Sequence, residues 1–531
     1  MAVIRRFSLV KPWVFFAEWL CFVLGHMGLL LAQEGEDAPL LSSQRVYEIE
    51  GARLKVPQNL QDVEEGQPPT FVDYIDPETT KSVTIRSALG NFLKGQEIEI
   101  QFKEHPLLED GVLSESVELD GLPSLPGGSP LFDIKKVSPN SITLTVKEDA
   151  LFVVSKGHVD SGNAQKVVDY LKEALPIDPQ SDLGHAVQVL GVLETAPLNQ
   201  ALSQMHPGLF GGLDWQNLLQ MTAISMVLAN HTRELACAPR TCTEKTCCER
   251  QKAVWVDTYG LWSRQEKIGE LEGFRTDHVG VVLGCDKRFG AGCLGAAAGY
   301  GHTHISWRDD AGGGRDNRVF GALYGSYRHE VVRVHVSAIG GGNFYGLRRN
   351  VTYVAYGDQQ TSVQYQAKSH PVGVTFDGHL GIGATFERWH VPVHIMGKVD
   401  YVYLHRERFQ EEGASELNLN VQTRSSSMLQ TELGLEYAPT FQALYSCVSP
   451  YVGLAWVVKV PLSSSRIGAY FVGVDQPLIV SATSHSIHLI APSFGFKVST
   501  VRGFSLALAA RAELSGQLKE YATDLRLEYC F

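Results

Sequence analysis

The sequence predicts an all-β fold whose C-terminal half is a 12-stranded antiparallel transmembrane β-barrel, and three observations lead to that prediction. The chain ends in an extended segment that alternates apolar and polar side chains and stops on an aromatic residue, Phe531. The same alternation recurs from Val254 onward. Short and long connections between these segments follow each other along the chain. A membrane barrel requires an apolar face toward lipid, a polar face toward its lumen and short turns at one end.

The first element is an export signal, predicted at residues 1–32. Basic residues precede an apolar run from Trp13 to Leu31, and an acidic stretch follows Ala32. This is the pattern of a cleaved secretory signal peptide. Glu18 and His26 interrupt the run, so an uncleaved signal anchor is the alternative. No later segment reaches the roughly 18 unbroken apolar residues of a spanning helix.

Composition narrows the classes of function. The chain has 531 residues, a formal net charge of −12, 44% hydrophobic and 20% charged residues, and 51 Gly. This hydrophobic fraction excludes a disordered chain and fits a β-rich one. The acidic balance, without a basic stripe, argues against nucleic-acid binding. The length exceeds one ordinary core and predicts two or more domains.

Residues 33–160 are predicted to form a small, irregular β-rich region. Segments 97–102 and 141–146 alternate as strands do, and the stretch 122–130 is rich in Pro and Gly, which is typical of turns. No internal period is present, so a repeat-built solenoid is not predicted. The role of this region cannot be inferred from its residues.

Residues 161–252 are predicted to be a helical junction that ends in a cysteine-rich segment. The main helix is expected from Trp215 to about Arg233. Its apolar residues could form an ordinary amphipathic stripe that packs on a soluble core. They are Leu218, Leu219, Ala223, Met226 and Val227.

Residues 253–531 contain the twelve predicted strands. Their approximate ranges are 254–263, 274–285, 292–307, 316–328, 331–345, 370–386, 391–405, 425–438, 446–460, 483–498, 504–514 and 519–531. The joins after the even-numbered strands up to the tenth are short, whereas several others are long and polar. The long joins are 308–315, 346–369, 406–424 and 461–482. Short periplasmic turns and long outer loops are typical of outer-membrane barrels. Thr361–Ala367 is interpreted as an extension into the third outer loop, because a thirteenth strand would make the count odd.

Two strands illustrate the predicted facing. In residues 332–338 the valines and Ala338 face lipid, and Arg333, His335 and Ser337 face the lumen. In the last strand, Arg526, Glu528 and Cys530 face inward. The outward residues there are the predicted barrel assembly signal, and they are Leu525, Leu527, Tyr529 and Phe531. An edge strand of a soluble sheet would alternate in the same way and is the alternative.

An ordered series of short segments resembles the junction and translocator domain of a type V bacterial autotransporter. The series comprises Ser161–Gln165, Leu198–Pro207, the helix from Trp215, Val254–Asp257, Gly273–Arg275, Gly280–Asp286 and Gly295–Tyr300. The resemblance covers about residues 160–531. In its use of cysteine the chain is similar to the polymorphic outer-membrane proteins of that group. It departs from them in lacking the GGA[ILV] and FxxN repeats.

The resemblance implies a division of labour. Residues 253–531 would be the translocator barrel in the bacterial outer membrane, with the preceding helix threaded through its pore as a linker. Residues 33–160 would be a passenger displayed at the cell surface or secreted, with adhesion as a conceivable role. The protein would not be an enzyme and would need no cofactor. Its partners would be outer-membrane lipid and the barrel-assembly machinery. The alternative is a 12-stranded porin or membrane-embedded enzyme with a periplasmic N-terminal region.

Eight cysteines besides Cys21 are candidates for disulfides, because an exported compartment is oxidising. They are Cys237, Cys242, Cys247, Cys248, Cys285, Cys293, Cys447 and Cys530. Cys285 and Cys293 are placed symmetrically about Phe289, so they are predicted to oppose each other across a strand pair. The first four are predicted on a periplasmic segment that could form disulfides with other envelope proteins. A zinc site is the rival for these four, although their spacing is poor for tetrahedral ligation.

Other motif matches lack the context that their chemistry requires. Gly290-x-Gly292-x-x-Gly295 fits a dinucleotide fingerprint but joins two strands instead of opening a helix. His302 and His304 share a strand face and could hold a metal only with a third ligand. No nucleophile elbow or zinc-protease motif is found. The sequence therefore predicts no catalytic, cofactor or metal site.

Overall fold

Six short strands near the N-terminus form one sheet. The computed structural model describes residues 46–49, 52–55, 71–72, 94–95, 97–102, 132–138, 141–147, 159, 162–174, 176–190, 193, 195–235, 252–355, 361–388, 391–443, 446–463, 466–482 and 485–531. The six strands are β1 (Val46–Ile49), β2 (Ala52–Lys55), β3 (Phe71–Val72), β4 (Glu97–Phe102), β5 (Phe132–Ser138) and β6 (Ser141–Val146). Their order in the sheet is β1-β2-β3-β4-β6-β5, and only β3 and β4 run parallel. The strands predicted at 97–102 and 141–146 are thus confirmed. The predicted signal peptide lies outside the described residues.

Four helices precede the barrel. They are α1 (Gly162–Glu173), α2 (Asp182–Leu190), α3 (Thr195–Met205) and α4 (Leu209–Leu235). Helix α4 is the predicted main helix, but it begins six residues before Trp215. Pro207 lies just before it, where a missing backbone N–H costs a helix nothing. Within the described residues, no helix is both long and apolar enough to cross a membrane.

The strands from residue 252 onward form the barrel and its loop-end decorations. They are β7 (Lys252–Gln265), β8 (Phe274–Phe289), β9 (Gly292–Trp307), β10 (Gly312–His329), β11 (Val332–Ala355), β12 (Thr361–Ser369), β13 (Val372–Arg388), β14 (Val391–Arg406), β15 (Phe409–Gln410), β16 (Leu419–Val421), β17 (Arg424–Tyr437), β18 (Phe441–Ala443), β19 (Ser446–Pro461), β20 (Arg466–Phe471), β21 (Leu478–Ser481), β22 (Ile487–Thr500), β23 (Phe504–Leu514) and β24 (Leu518–Cys530).

Twelve of these strands close into a ring. The order is β7-β8-β9-β10-β11-β13-β14-β17-β19-β22-β23-β24, and every neighbouring pair is antiparallel. Strand β24 then pairs with β7 from Leu518 opposite Gln265 to Cys530 opposite Ala253. A closed ring leaves no strand edge with unpaired backbone groups, which is the requirement for a sheet in lipid. The predicted 12-stranded antiparallel barrel is confirmed.

The two ends of the barrel differ as predicted. The turn end is where residues 290–291, 330–331 and 501–503 connect consecutive strands, and the loop end carries the longer connections. Strand β12 pairs with the protruding part of β11, so it extends an outer hairpin and is not a thirteenth wall strand. At the same end, β15, β16, β20 and β21 form a small antiparallel sheet.

One predicted loop is too long. The join expected at 308–315 covers only residues 308–311, because β10 already begins at Gly312. Gly312 has a φ of 119°, and a Cβ at this residue would lie 2.1 Å from the carbonyl oxygen of Arg348. Glycine therefore allows β10 and β11 to stay paired beyond the point at which the sequence suggested a loop.

The outward face of the barrel is apolar and the inward face is polar. Leu323, Leu283 and Trp456 are more than half exposed on the outside. Several inward cations are less than 2% exposed, and they are Arg318, Arg406, Arg526 and Lys459. Val336 is 48% exposed while its neighbours His335 and Ser337 are buried, which confirms the facing predicted for that strand. The outer surface thus suits hydrocarbon and the lumen suits polar groups.

Candidate functional site

The candidate site is the barrel lumen, which helix α4 occupies along its length. Near the helix start, the indole N–H of Trp215 donates to Gln265 Oε1 at the loop end of β7, at 2.8 Å. Near its end, His231 Nε2 lies 2.8 Å from Asp286 Oδ2, close to the turn end. A helix of 27 residues is about 40 Å long, enough to pass an apolar belt about 25 Å tall. The chain therefore runs through the pore from the loop end to the turn end.

Polar side chains of α4 bind different sectors of the barrel wall. Asn217 Oδ1 accepts hydrogen bonds from Arg318 and Asn343. The other contacts are Gln220 to Thr303 at 2.8 Å, Ser225 to Asp400 at 2.9 Å and Asn230 to Asp524 at 3.3 Å. These partners lie on β9, β10, β11, β14 and β24. Because the helix is polar and buried on several sides, the alternative of a simple amphipathic stripe on a soluble core is wrong.

A buried ionic anchor holds the start of α4. Asp214 accepts from Arg406 Nε and lies 3.1 Å from Arg424 Nε. The Arg406 guanidinium also lies 5.5 Å and 5.1 Å from the ring centres of Phe210 and Phe409. Truncating one member of a buried ion pair leaves a desolvated charge and costs several kcal/mol, about 3–5. The anchor therefore favours the inserted position of the helix.

A second cluster surrounds the end of α4. Tyr324 OH donates to Asp286 Oδ2 at 3.3 Å, on the carboxylate that also meets His231. The Trp255 indole N–H donates to Tyr324 OH at 2.7 Å, and its ring centre lies 4.4 Å from that of His231. These side chains fill the lumen beside the turn end. The pore is thus occupied at both ends.

The remaining lumen sector is lined by charges that pair with each other. Glu432 pairs with Lys398 at 2.9 Å and with Arg511 at 3.0 Å. Lys459 pairs with Glu513 at 2.9 Å and also with Glu520. Two cavities beside this sector measure about 30 Å³ each. A volume of that size holds about two water molecules, which is too small for a solute path.

Helices α1, α2 and α3 form a cap on the loop end of the barrel. The backbone N–H groups of Gly162 and Asn163 donate to the Glu270 carboxylate at 2.9 and 3.0 Å. This acid lies in the connection between β7 and β8, and its charge suits the start of α1. The side-chain amide of Asn163 donates to the backbone oxygen of Ser481 at 2.6 Å, and the backbone N–H of Ser481 donates to Asn163 Oδ1 at 2.7 Å. The cap is therefore attached to two separate loops through α1.

Further contacts attach the cap to other loops. The backbone N–H of Leu183 donates to Glu416 at 3.2 Å, and Tyr365 OH donates to Asp182 at 3.0 Å. Buried Arg349 pairs with Glu411 and donates to the backbone oxygen of Gln204 at 2.6 Å. When a charged pair is buried away from water, both partners need further hydrogen bonds. The backbone oxygen of Gln204, in the cap, accepts one such hydrogen bond from Arg349.

His206 lies between α3 and α4 and is 1% exposed. The backbone N–H of Gly208 donates to His206 Nδ1 at 3.0 Å, so this nitrogen acts as an acceptor. Burial, together with the charges of Lys267 and Arg349, lowers the pKa of His206 to about 3. The imidazole is therefore neutral when the cap is docked.

The predicted assembly residues lie together on the outside of β24. Leu525, Leu527, Tyr529 and Phe531 are between 38% and 54% exposed. The Phe531 ring stacks on Tyr529 with centres 6.2 Å apart. Its backbone N–H donates to Lys252 O at 2.9 Å. The terminal residue thus takes part in closing the ring, and its role as a signal stays a prediction.

The predicted pairing of Cys285 with Cys293 is wrong. The β8–β9 turn is centred on residues 290–291, so Cys285 lies opposite Ala296 and Cys293 lies opposite Arg288. Both residues are free thiols. Cys285 points outward, whereas buried Cys293 donates to Asp286 at 3.5 Å.

Cys530 likewise forms no disulfide, whereas the remaining cysteine candidates stay predictions. Cys530 is buried and donates to Glu528 at 3.4 Å. Cys447 lies opposite Ser499 on β19, where it is buried. The first four candidates lie outside the described residues, and they are Cys237, Cys242, Cys247 and Cys248.

The structure also shows what the other motif residues do. Gly290 has a φ of 58° in the β8–β9 turn, so the glycine motif is a barrel turn. His302 Nδ1 lies 2.8 Å from Asn317 Oδ1 on the neighbouring strand. In the described part of the chain, no three His, Cys, Asp or Glu side chains are grouped to hold a metal ion. Sequence reasoning missed the Asp214 and Arg349 ion pairs, because alternation indicates an inward face but not a partner.

Comparisons with known proteins address the barrel region. Residues 254–511 match the family model described as autotransporter beta-domain. Outer membrane protein B of Rickettsia rickettsii is 26% identical over 250 residues, which are 44% of this chain and 15% of that protein. Outer membrane protein B of Rickettsia conorii gives the same figures. The chain thus aligns with only 15% of the length of these curated relatives.

Two solved structures are similar to the barrel. The translocator domain of autotransporter NalP from Neisseria meningitidis is 12% identical, with a TM-score of 0.43, and the match covers 59% of this chain and 98% of that one. The beta domain of the Bordetella autotransporter BrkA is 14% identical, with a TM-score of 0.38, and the match covers 53% and 100% of the two chains.

Proposed function

We propose that this bacterial outer-membrane protein uses its barrel, of which residues 254–511 match the autotransporter beta-domain model, to carry its own N-terminal region to the cell surface. The path of the chain through the pore carries the proposal. Helix α4 starts at the loop end beside Gln265, and β7 starts at the turn end, where Ala253 pairs with Cys530. In outer-membrane barrels the long loops are external and the short turns periplasmic. Residues before α4 would therefore emerge outside the cell.

The proposed passenger is the β-rich region of residues 33–160, behind a signal peptide at residues 1–32. Once it has crossed, α4 would remain in the pore and the cap would dock on the outer loops. The contacts of Asp214 with Arg406 and of Asn163 with Ser481 support this end state. We propose display, with adhesion as the role of the passenger, and no enzymatic activity.

A porin with a periplasmic N-terminal region is the competing function. A porin needs a lumen through which solutes pass. In this barrel the helix contacts β9, β10, β11, β14 and β24, and three cavities described beside it measure only about 30 to 40 Å³ each. The occupied lumen favours a translocator that is closed after export.

Protease accessibility on intact cells tests the proposal. A tobacco etch virus protease site is inserted into the turn-rich stretch 122–130 of the full chain. The matched control carries the same site in the 501–503 turn. We expect added protease to cut the first variant in intact cells and the control only after permeabilisation of the outer membrane. Cleavage of the first variant only after permeabilisation would contradict display and support the porin-like alternative.

Three kinds of partner belong to the same proposal. Outer-membrane lipid would surround the belt, and the barrel-assembly machinery would recognise the strand that ends at Phe531. The cysteines of residues 237–248 follow α4 and precede β7, so they would lie in the periplasm. There they would form disulfides with other envelope proteins. High-mass species on non-reducing electrophoresis of alkylated envelopes, absent when all four are Ser, would support this. A monomer band alone would contradict it.

A further inference from the structure

A row of cations follows the outward face of the barrel at its loop end. Strand register puts Lys519 opposite Arg264, and Arg264 opposite Arg275. The same row continues through Ser306 and Gly313 to Arg348, which lies opposite Lys368. The next row toward the belt adds Arg315. We call this set the basic rim, and it comprises Arg264, Arg275, Arg315, Arg348, Lys368 and Lys519.

The basic rim lacks enough anions of its own. Arg264 meets Glu266 at 3.4 Å. The other five cations form no ion pair with any residue in the described ranges. Like charges on directly opposed residues of neighbouring strands destabilise a sheet. The rim contains three such pairs, namely Lys519 with Arg264, Arg264 with Arg275, and Arg348 with Lys368. An external anion would remove this repulsion.

The rim lies where the apolar belt ends. On β8 the outward residues from Val279 to Phe289 are apolar except Lys287 near the turn, and Asp277 and Arg275 follow toward the loops. Ten residues extend about 33 Å along a strand, which is about 25 Å of height at the usual tilt. That height equals the apolar band of an outer-membrane barrel. Arg275 and Arg315, with Arg264 and Lys519, therefore lie near the level of the lipid headgroups in the leaflet at the loop end. The tilt of the strands carries Arg348 and Lys368 further out.

The rim is confined to one side of the barrel. It covers β24 and β7 through β12, whereas the outward positions at the loop ends of β13, β14, β17, β19, β22 and β23 carry no Lys or Arg. A general attraction to the membrane surface would not require this clustering. Arginines fixed on strands, with planar donor groups, suit the oxygens of a phosphate group.

We propose that the basic rim binds the phosphoryl headgroup of an anionic lipid in the leaflet at the loop end. The acyl chains of that lipid lie along the outward belt residues of β8 to β11. Val279 and Phe344 are directly below the rim and are both more than half exposed. A ligand with phosphate at headgroup height and hydrocarbon below it matches both the basic rim and the apolar belt. A free phosphate matches only the basic rim.

The test uses the full chain folded in a neutral detergent. Its probes are diphosphoryl lipid A, the same lipid without phosphates, and inorganic pyrophosphate. The rim variant carries Arg275→Gln and Arg315→Gln, which are equally far along their strands from the turn end. The matched control carries Lys252→Gln and Lys287→Gln, which removes two opposed outward cations at the turn end of β7 and β8. Heat-modifiable electrophoretic mobility verifies that both variants fold.

We expect the rim variant to bind diphosphoryl lipid A about thirtyfold more weakly than the unmodified chain, and the control to change by less than about threefold. Tighter binding of the phosphorylated lipid than of the dephosphorylated one supports the proposal. It is overturned if the rim variant binds as well as the control. Pyrophosphate binding as tight as that of the lipid would also overturn it, since the acyl chains would then contribute nothing. Export is measured separately and should be unchanged in the rim variant.

Discussion

Acidification should loosen the cap, because His206 is buried in a neutral state. Its Nδ1 accepts the Gly208 N–H, and a proton on that nitrogen would break the hydrogen bond. The folded pKa is about 3 and the ordinary value is 6.5. When the cap releases His206, the imidazole can take up a proton at any pH below its ordinary pKa. Protons therefore favour the released state.

The size of the effect follows from the two pKa values. The stabilisation is fully present above pH 6.5 and decreases as the pH falls toward 3. A pH of 5 is about 1.5 units below the ordinary pKa of the released imidazole. The docked cap therefore loses about 2 kcal/mol of stability relative to the released cap. The population of the released state should rise about thirtyfold. At pH 3 the loss should reach about 4 kcal/mol, because the docked imidazole is then itself partly protonated.

Amide hydrogen exchange of residues 195–210 in the full chain measures this opening. Exchange rates at pH 7.5 and pH 5 are first corrected for intrinsic chemistry. The unmodified chain should show the thirtyfold rise, and His206→Gln should show little of it. His185→Gln is the matched control, because His185 is a half-buried histidine of the same cap. An equal rise in His206→Gln and in the unmodified chain would refute the reasoning.

Three further predictions concern the barrel and its helix. Val336→Arg places a charge in hydrocarbon and should cost about 2–4 kcal/mol, whereas Val332→Arg at the belt edge should cost about 0–1; equal folded yields on heat-modifiable electrophoresis would contradict the depth assigned to Val336. Phe531→Ala, and more strongly deletion of residues 525–531, should reduce outer-membrane insertion because the closing strand is weakened; an unchanged folded yield in the deletion would count against its role. Removing residues 210–235 should raise single-channel conductance in planar bilayers because the lumen loses its helix, and an unchanged conductance would place the helix outside the pore.

The barrel itself was predictable from local patterns. A strand between lipid and a polar lumen must alternate, so the period of two assigns each residue to a face without knowledge of its neighbours. Arg526 and Glu528 face inward for this reason, and Val336 faces outward. The number of strands follows from counting such segments. The 308–315 join was misjudged because glycine permits both loops and closely paired strands.

Register across a turn was less predictable. The expected pairing of Cys285 with Cys293 assumed a turn centred on Phe289, whereas the turn is centred on residues 290–291. Moving the centre of a turn by one and a half residues shifts the cross-strand partner by three, which puts the two thiols on opposite faces. The positive φ of Gly290 fixes the position of this turn. Alternation on either side does not contain that information.

Local patterns in the chain specify which segments are strands, which face of each strand contacts lipid, and where the long helix lies. These are local properties of a period-two or helical pattern. The identity of the polar groups that contact each other depends on the folded barrel, as it does for Asp214 and Arg406, which are 192 residues apart in the chain. The closed ring sets the angle at which each inward side chain approaches the helix, and it likewise brings Lys519 beside Arg264 on the outside. Contacts of this kind depend on closure of the whole sheet, so no local pattern encodes them.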